Sequence, residues 1–189
     1  MGQKAITIYT PSGTAAHITA EDDAFIHRCM LGGTSGILGS LSCVKVDDNT
    51  VRLSNGGVSN KGFILWIPDG ETVELAIDNG EPGMSRVDIV AAAFTKGGGE
   101  VADTHIFRII KGTAAASNPA APAVTTVPMA QLTAGSTLEL ALFYVNITGS
   151  EITGINQAAS KLPAASALPG IYVQQAQPSS PATGDLWFW

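Results

Sequence analysis

Hydrophobic and polar positions alternate most clearly between Glu71 and Lys111. In Thr72–Asp78, Val73, Leu75 and Ile77 fall on one side while Thr72, Glu74 and Asp78 fall on the other. That period of two is the signature of a half-buried strand. Asn79-Gly80 follows, a pair that favours the left-handed backbone of a tight turn. Ser85–Lys96 predicts a long strand, Gly97-Gly98-Gly99 a turn, and Ile106–Lys111 the returning strand.

The same reading extends outwards from this block. Lys4–Tyr9 predicts a first strand with Ile6 and Ile8 on one face. Thr19 and Asp22 form an approximate capping box, and Glu21, Asp22 and Asp23 place negative charge at the positive end of a helix dipole. Phe25, Ile26, Cys29 and Met30 then predict one apolar stripe packed on a sheet, and Gly32-Gly33 stops the helix. Ser42–Asp47 and Thr50–Ser54 predict a hairpin around Asp48-Asn49, with Val44 and Val46 opposing Val51 and Leu53. Asn55-Gly56-Gly57 predicts the next turn. Lys61–Ile67 is a dense apolar run, which predicts a strand covered on both faces with Trp66 in the core.

After residue 112 the pattern changes. Residues 113–126 are rich in Ala and Pro and predict a stiff, extended linker. Val127–Leu132 reads as a short extended piece. Thr137–Ile147 predicts a strand with Leu138, Leu140, Leu142 and Tyr144 on one face, and Ile152–Gln157 suits either a strand or a helix start. The expected organisation is a β-sandwich-like domain over 1–112 with one early α-helix, a linker over 113–126, a smaller β-containing segment over 127–157, and an extended tail over 158–189. That tail ends in Trp187, Phe188 and Trp189. Aromatics in a tail with few other anchors predict docking into a groove, on this chain or on another subunit.

Composition narrows the function classes. Charged residues are only 14% of the chain, which fits apolar surface covered by other copies or partners. A net charge of -6 argues against nucleic-acid binding. No run of 18 apolar residues predicts a membrane span. The N-terminus lacks a signal-peptide core, so synthesis in a cytoplasm, without secretion by that route, is expected.

No catalytic, metal or cofactor site is expected. His17, His27 and His105 share no ligand spacing, and Cys29 and Cys43 read as two small buried thiols. Asp47-Asp48-Asn49 reads as a turn, lacking the remaining ligands of a calcium loop. Gly33-Thr34-Ser35-Gly36 reads as a loop, not a nucleophile motif. Arg86 and Asp88, two apart on a strand, project from one face and predict a structural ion pair that fixes register. A solvated pair of that kind contributes under about 1 kcal/mol, so its value depends on burial.

Several segments together resemble a known family. They are Ile18–Ala24, Asn55-Gly56-Gly57-Val58, Glu71-Thr72-Val73, Ile77–Gly80, Ser85–Val90 and Ile109–Thr113. In order and spacing, over roughly residues 1–155, they resemble the N-terminal module of tail-fibre and baseplate proteins from phages and prophages of Gram-positive bacteria. Val127–Leu132 resembles the short segment that follows the Pro-rich linker there. Pro181–Trp187 resembles a Gly-Asp-Leu-Trp tag near the ends of tail components. The resemblance implies a non-enzymatic virion tail protein, assembled as a homo-oligomer with a trimer as first expectation, whose partners are other tail proteins. With no fibre shaft after Trp189, it implies an adaptor, tail-tip or short baseplate component. Two alternatives remain at this point. One is a carbohydrate-binding or adhesin-like sandwich that meets a host-surface glycan through an aromatic-lined groove. The other is a tail-borne cell-wall hydrolase, which requires converging carboxylates or a His/Cys/Asp cluster.

Overall fold

The computed structural model describes residues 18–31, 35–163, 171–173, 179 and 186–188. The strand read at Lys4–Tyr9, His17 and Trp189 lie outside them. The chain is mainly β, with one α-helix among the described residues, near its start.

Helix α1 (Ala20–Met30) begins at its expected cap. The Thr19 hydroxyl accepts the Asp22 N–H, and the Asp22 carboxylate accepts the Thr19 N–H at 2.7 Å. Its packing face is not the expected one. Phe25, Cys29 and Met30 face solvent, and the buried residue is Ala24. Ala24 lies against the Lys61-Gly62 turn, where His27 Nδ1 meets Gly62 O at 2.9 Å and Arg28 donates to Lys61 O at 2.8 Å. A methyl side chain lets the helix approach closely, and two polar side chains satisfy the turn's carbonyls. Cys29 is therefore exposed, and only Cys43 is partly buried.

One layer is a bent sheet. It contains β1 (Ser35–Leu38), β2 (Cys43–Asp47), β3 (Thr50–Leu53), β4 (Gly56–Asn60), β5 (Phe63–Ile67) and β6 (Val73–Ala76). β1 pairs with β4 and β4 with β5; β2 pairs with β3 and β3 with β6; all are antiparallel. Because β1 leads into β2, β3 into β4 and β5 into β6, the two ladders are halves of one three-stranded layer. The bend lies at Gly56, whose φ is +132° and whose missing Cβ would stand 2.4 Å from Leu41 N. Gly56 and Gly57 thus sit in a strand and not in the expected turn. In the β2–β3 hairpin, Val44 pairs with Arg52 while Cys43 pairs with Leu53 and Lys45 with Val51. Val51 and Leu53 are buried, and Val44 and Val46 point outwards, the reverse of the expected match.

The other layer holds β7 (Ser85–Thr95), β8 (Thr104–Ile110), β9 (Thr137–Thr148) and β10 (Glu151–Gln157), in the order β10-β9-β7-β8, all antiparallel. β9, from the segment set apart at 127–157, lies between β7 and β10, so that segment completes this sheet. A bulge at Leu142 lets Val90 pair with Phe143 and Ala91 with Ala141. The extra residue flips the alternation. Leu142 is core, but beyond it Phe143, Val145 and Ile147 turn inwards in place of Tyr144.

Between the layers Ile37, Leu53, Val58, Val90, Leu142 and Val145 form the main core. A second cluster at one end joins Ala24, Phe63, Phe94 and Leu138. The Phe63 and Phe94 rings stack there at 3.9 Å. Met129–Gln131, expected to be extended, is a 3₁₀ turn, and Met129 packs against this cluster.

Residues 113–126 form a strap. Ala115 exchanges backbone hydrogen bonds with Ser85 at 2.8 Å, beyond the end of β8. On the far side of the sheet, Glu139 N donates to Thr125 O at 2.7 Å. A chain fixed at both places must cross β7 and β9. Ile89, Ala91 and Ala93, on the face of β7 opposite the core, are accordingly buried. Past β10, Ser160 and Leu162 hydrogen-bond to Ile37 and cover the open edge of β1. β11 (Ile171–Val173) and β12 (Leu186–Phe188) then form a separate two-stranded parallel ladder.

Candidate functional site

The two layers meet along two seams, each flanked by strands at the edge of their sheets. At one seam Lys45 of β2 reaches across to donate to Ile152 O of β10 at 3.0 Å. The other seam, between β5–β6 and β8, is bridged at one end, where Lys111 Nζ donates to Asp78 Oδ2 at 2.9 Å, and is open beside Trp66. It is a groove of about 440 Å³ lined by Trp66, Pro68, Val73, Ile106 and Phe107, with Glu71 and Thr72 on its rim. Trp66 is 64% exposed and Ile106 is 53% exposed. Trp66, expected in the core, is therefore on the surface. β5 is covered on one face only, so its alternate residues Ile64 and Trp66 point out although the whole run is apolar. Among the described residues β5 and β6 each pair on one side only, as does β8. Their remaining backbone groups, with large apolar side chains beside them, make a template for an added strand.

The expected ion pair is formed and deeply buried. Arg86 is 3% exposed and Asp88 0%. Arg86 Nε donates to Asp88 Oδ1 at 3.0 Å, and its Nη1 and Nη2 donate to Asn79 O and Asp78 O. Asp88 Oδ1 also accepts the Gly112 N–H at 2.8 Å. The pair thus ties the β6–β7 connection and the chain after β8 to the start of β7. A second carboxylate, Glu139, is held by Arg108 and by the Thr125 N–H at 2.6 Å. Burial pushes its pKa up, but these donors outweigh burial and hold it below the usual range. It anchors the strap in ionised form.

Four titratable residues line a smaller cleft of about 270 Å³ between α1 and the sheet: Asp23, His27, Asp103 and His105. Sequence spacing did not bring them together, since they come from the helix, the β7–β8 loop and β8. Two are committed to the fold. His27 is bonded to Gly62 O, and Asp103 accepts the Gly97 N–H at 2.7 Å and Lys96 Nζ at 3.1 Å. His105 lies edge-on to Phe94 with a buried Nε2 that has no hydrogen-bond partner. Burial lowers its pKa to about 4, although its bond to the Ile64 backbone acts the other way. The ring is neutral at pH 7.

The remaining candidates read as structure. Asp47 Oδ1 accepts the Asn49 N–H at 2.8 Å in the β2–β3 turn. Burial raises the Cys43 thiol to about 12, which leaves it unreactive at neutral pH. Among the described residues, no group of three or more His, Cys, Asp or Glu is placed to hold a metal ion. No described helix is long and apolar enough to cross a membrane. Trp187 and Phe188 lie on β12, paired with Tyr172 and Val173 of β11. No protein-family model matches this chain, and no curated protein matches it.

Proposed function

We propose that this protein is a non-enzymatic structural component of a phage or prophage tail, at the baseplate, the tail tip or a fibre attachment. It works by self-assembly and by docking other tail proteins. The observation that carries the assembly reading is the apolar seam, with Trp66 and Ile106 exposed between strand edges that have no strand partner among the described residues. A strand-edge template of this kind suits a partner that contributes its own extended segment. The tail context is supported by the order and spacing of the segments between residues 1 and 155. Analytical ultracentrifugation at tens of micromolar tests the assembly reading: an oligomer, with a trimer first in line, is expected, and a strict monomer sinks it. Mass spectrometry of purified virions tests the location, and absence of the chain from the particles removes it.

The exposed Trp66 in a shallow groove also favours a second reading, a carbohydrate-binding or adhesin-like module. Sugar sites combine an aromatic platform with several fixed polar groups, and this rim offers Glu71 and Thr72. Glycan-array binding that disappears in Trp66→Ala supports that reading, and an empty array removes it.

A further inference from the structure

We propose that the seam between β5 and β8 seats an extended, basic segment of a different protein. Its apolar side chains lie against Trp66 and Ile106, and its lysines or arginines meet the carboxylates at either end. The inference rests on the docking part of the proposed function and names the partner's chemistry at that surface.

The groove beside Trp66 and the cleft between α1 and the sheet follow one another along the same two strands. The cleft ends at Ile64 and His105, and the groove begins at the next residues, Leu65 and Ile106. Ile64, Trp66 and Ile106 are all exposed along this line. A long, shallow, apolar depression fits a chain in extended form, with alternate side chains pointing down into it. His105 is bonded to the Ile64 backbone across the seam, and Pro68, at the end of β5, has no N–H to offer. The segment therefore lies on the side chains and not within the ladder.

Charge identifies the occupant. The fold closes its seams with lysines: Lys45 reaches Asp48 and Ile152 O at one, and Lys111 reaches Asp78 at the end of the other. The open stretch has carboxylates without matching cations. Asp23 stands at its α1 end and Glu71 at its Pro68 end, and among the described residues no lysine or arginine lines it. Asp103 is matched by Lys96, but Asp23 and Glu71 make no ion pair. Complementary charge selects a partner that brings the missing cations. A second copy is a poor source of them. The net charge is -6, and of ten Lys and Arg, six (Lys45, Arg52, Arg86, Lys96, Arg108 and Lys111) already pair with carboxylates of their own chain. The donor is a more basic protein.

A bead-displayed library of random peptides, screened against the full chain, tests this. Enriched sequences are expected to alternate β-branched or aromatic residues with polar ones and to carry lysine or arginine. A fluorescent copy of an enriched peptide then reports affinity by anisotropy. Trp66→Ala is expected to weaken binding about 30-fold, and Glu71→Gln and Asp23→Asn about twofold to fivefold each, with affinity falling as salt rises. All three residues are exposed, and circular dichroism verifies that the variants fold. A library that yields nothing, enriched peptides without basic residues, or binding indifferent to both carboxylate variants overturns the inference. So does a glycan held at Trp66 with no peptide retained. So does a Trp66→Ala chain that turns a wild-type oligomer into a monomer, because a second copy then fills the seam. Self-assembly and virion location stand or fall on their own measurements, sedimentation and mass spectrometry of the particles.

Discussion

Asp88→Ala is the substitution that bears most directly on how the sandwich holds together. The carboxylate is fully buried and accepts from Arg86 and from the Gly112 N–H. Removing it strands a buried guanidinium with two backbone carbonyls as partners, and strands one amide without an acceptor. Breaking a buried pair from one side costs about 3–5 kcal/mol, and the lost amide partner falls within that range. A urea slope of about 2 kcal/mol/M for a chain of this size converts 4 kcal/mol into a midpoint shift of about 2 M. The assay is equilibrium urea denaturation followed by circular dichroism. Replacing both residues, Arg86→Met with Asp88→Leu, leaves no uncompensated charge and is expected to cost less than Asp88→Ala alone. A single-variant shift below about 0.5 M refutes the reasoning. So does a double variant whose loss equals the sum of the two single losses, because the groups would then be energetically independent.

Two other consequences are open to measurement. His105 has a folded pKa of about 4 against an ordinary 6.5, so between those values the unfolded chain binds a proton that the fold excludes. Stability from this ring is present above pH 6.5 and is lost as pH falls towards 4. The ceiling is about 3.4 kcal/mol, and water around the partly exposed ring reduces it to about 2 kcal/mol. The difference between wild type and His105→Phe, measured by urea denaturation at pH 7 and pH 4.5, isolates this contribution from Asp103, Lys96, Glu21, Asp23 and His27 around it; equal pH slopes contradict it. Gly62→Ala places a Cβ 2.0 Å from Ala24 O at a φ of +90°. The left-handed backbone costs at least about 1 kcal/mol, and the contact pushes α1 away from the Lys61-Gly62 turn. Amide exchange across Ala24–Arg28 should accelerate, and unchanged protection rejects this account of the helix contact.

Local signals proved readable where one residue type suffices. The Thr19–Asp22 cap and the Asp48-Asn49 hairpin follow from side-chain chemistry, and the long β7 strand from an apolar run closed by Gly97-Gly98-Gly99. What escaped depends on partners distant in sequence. The packing face of α1 escaped because the contact uses a small residue and two polar ones, which resemble a solvent face in hydropathy. Trp66 escaped because an apolar run looks the same whether one side or both sides are covered. The inward turn of Phe143, Val145 and Ile147 required a bulge opposite Val90, which leaves no local mark. Residues 113–126 resembled a spacer because their Ala and Pro carry no strand or helix period, while the bonds that fix them come from Ser85 and Glu139, distant in sequence. The spacing of Arg86 and Asp88 was visible, but its depth was not. The Asp23, His27, Asp103 and His105 cleft had no signal at all, since three separate elements build it.

The position of β9 has a consequence for synthesis. β7 is made first, and its partner along the whole register from Ser85↔Thr148 to Thr95↔Thr137 arrives only after the strap. Until residue 148 has left the ribosome, a nascent chain carries a long unpaired edge rich in alanine and valine, the kind of edge that recruits strangers. A fragment cut at the Ala/Pro stretch would keep that edge bare permanently. Chaperones therefore have a defined interval in which to shield it.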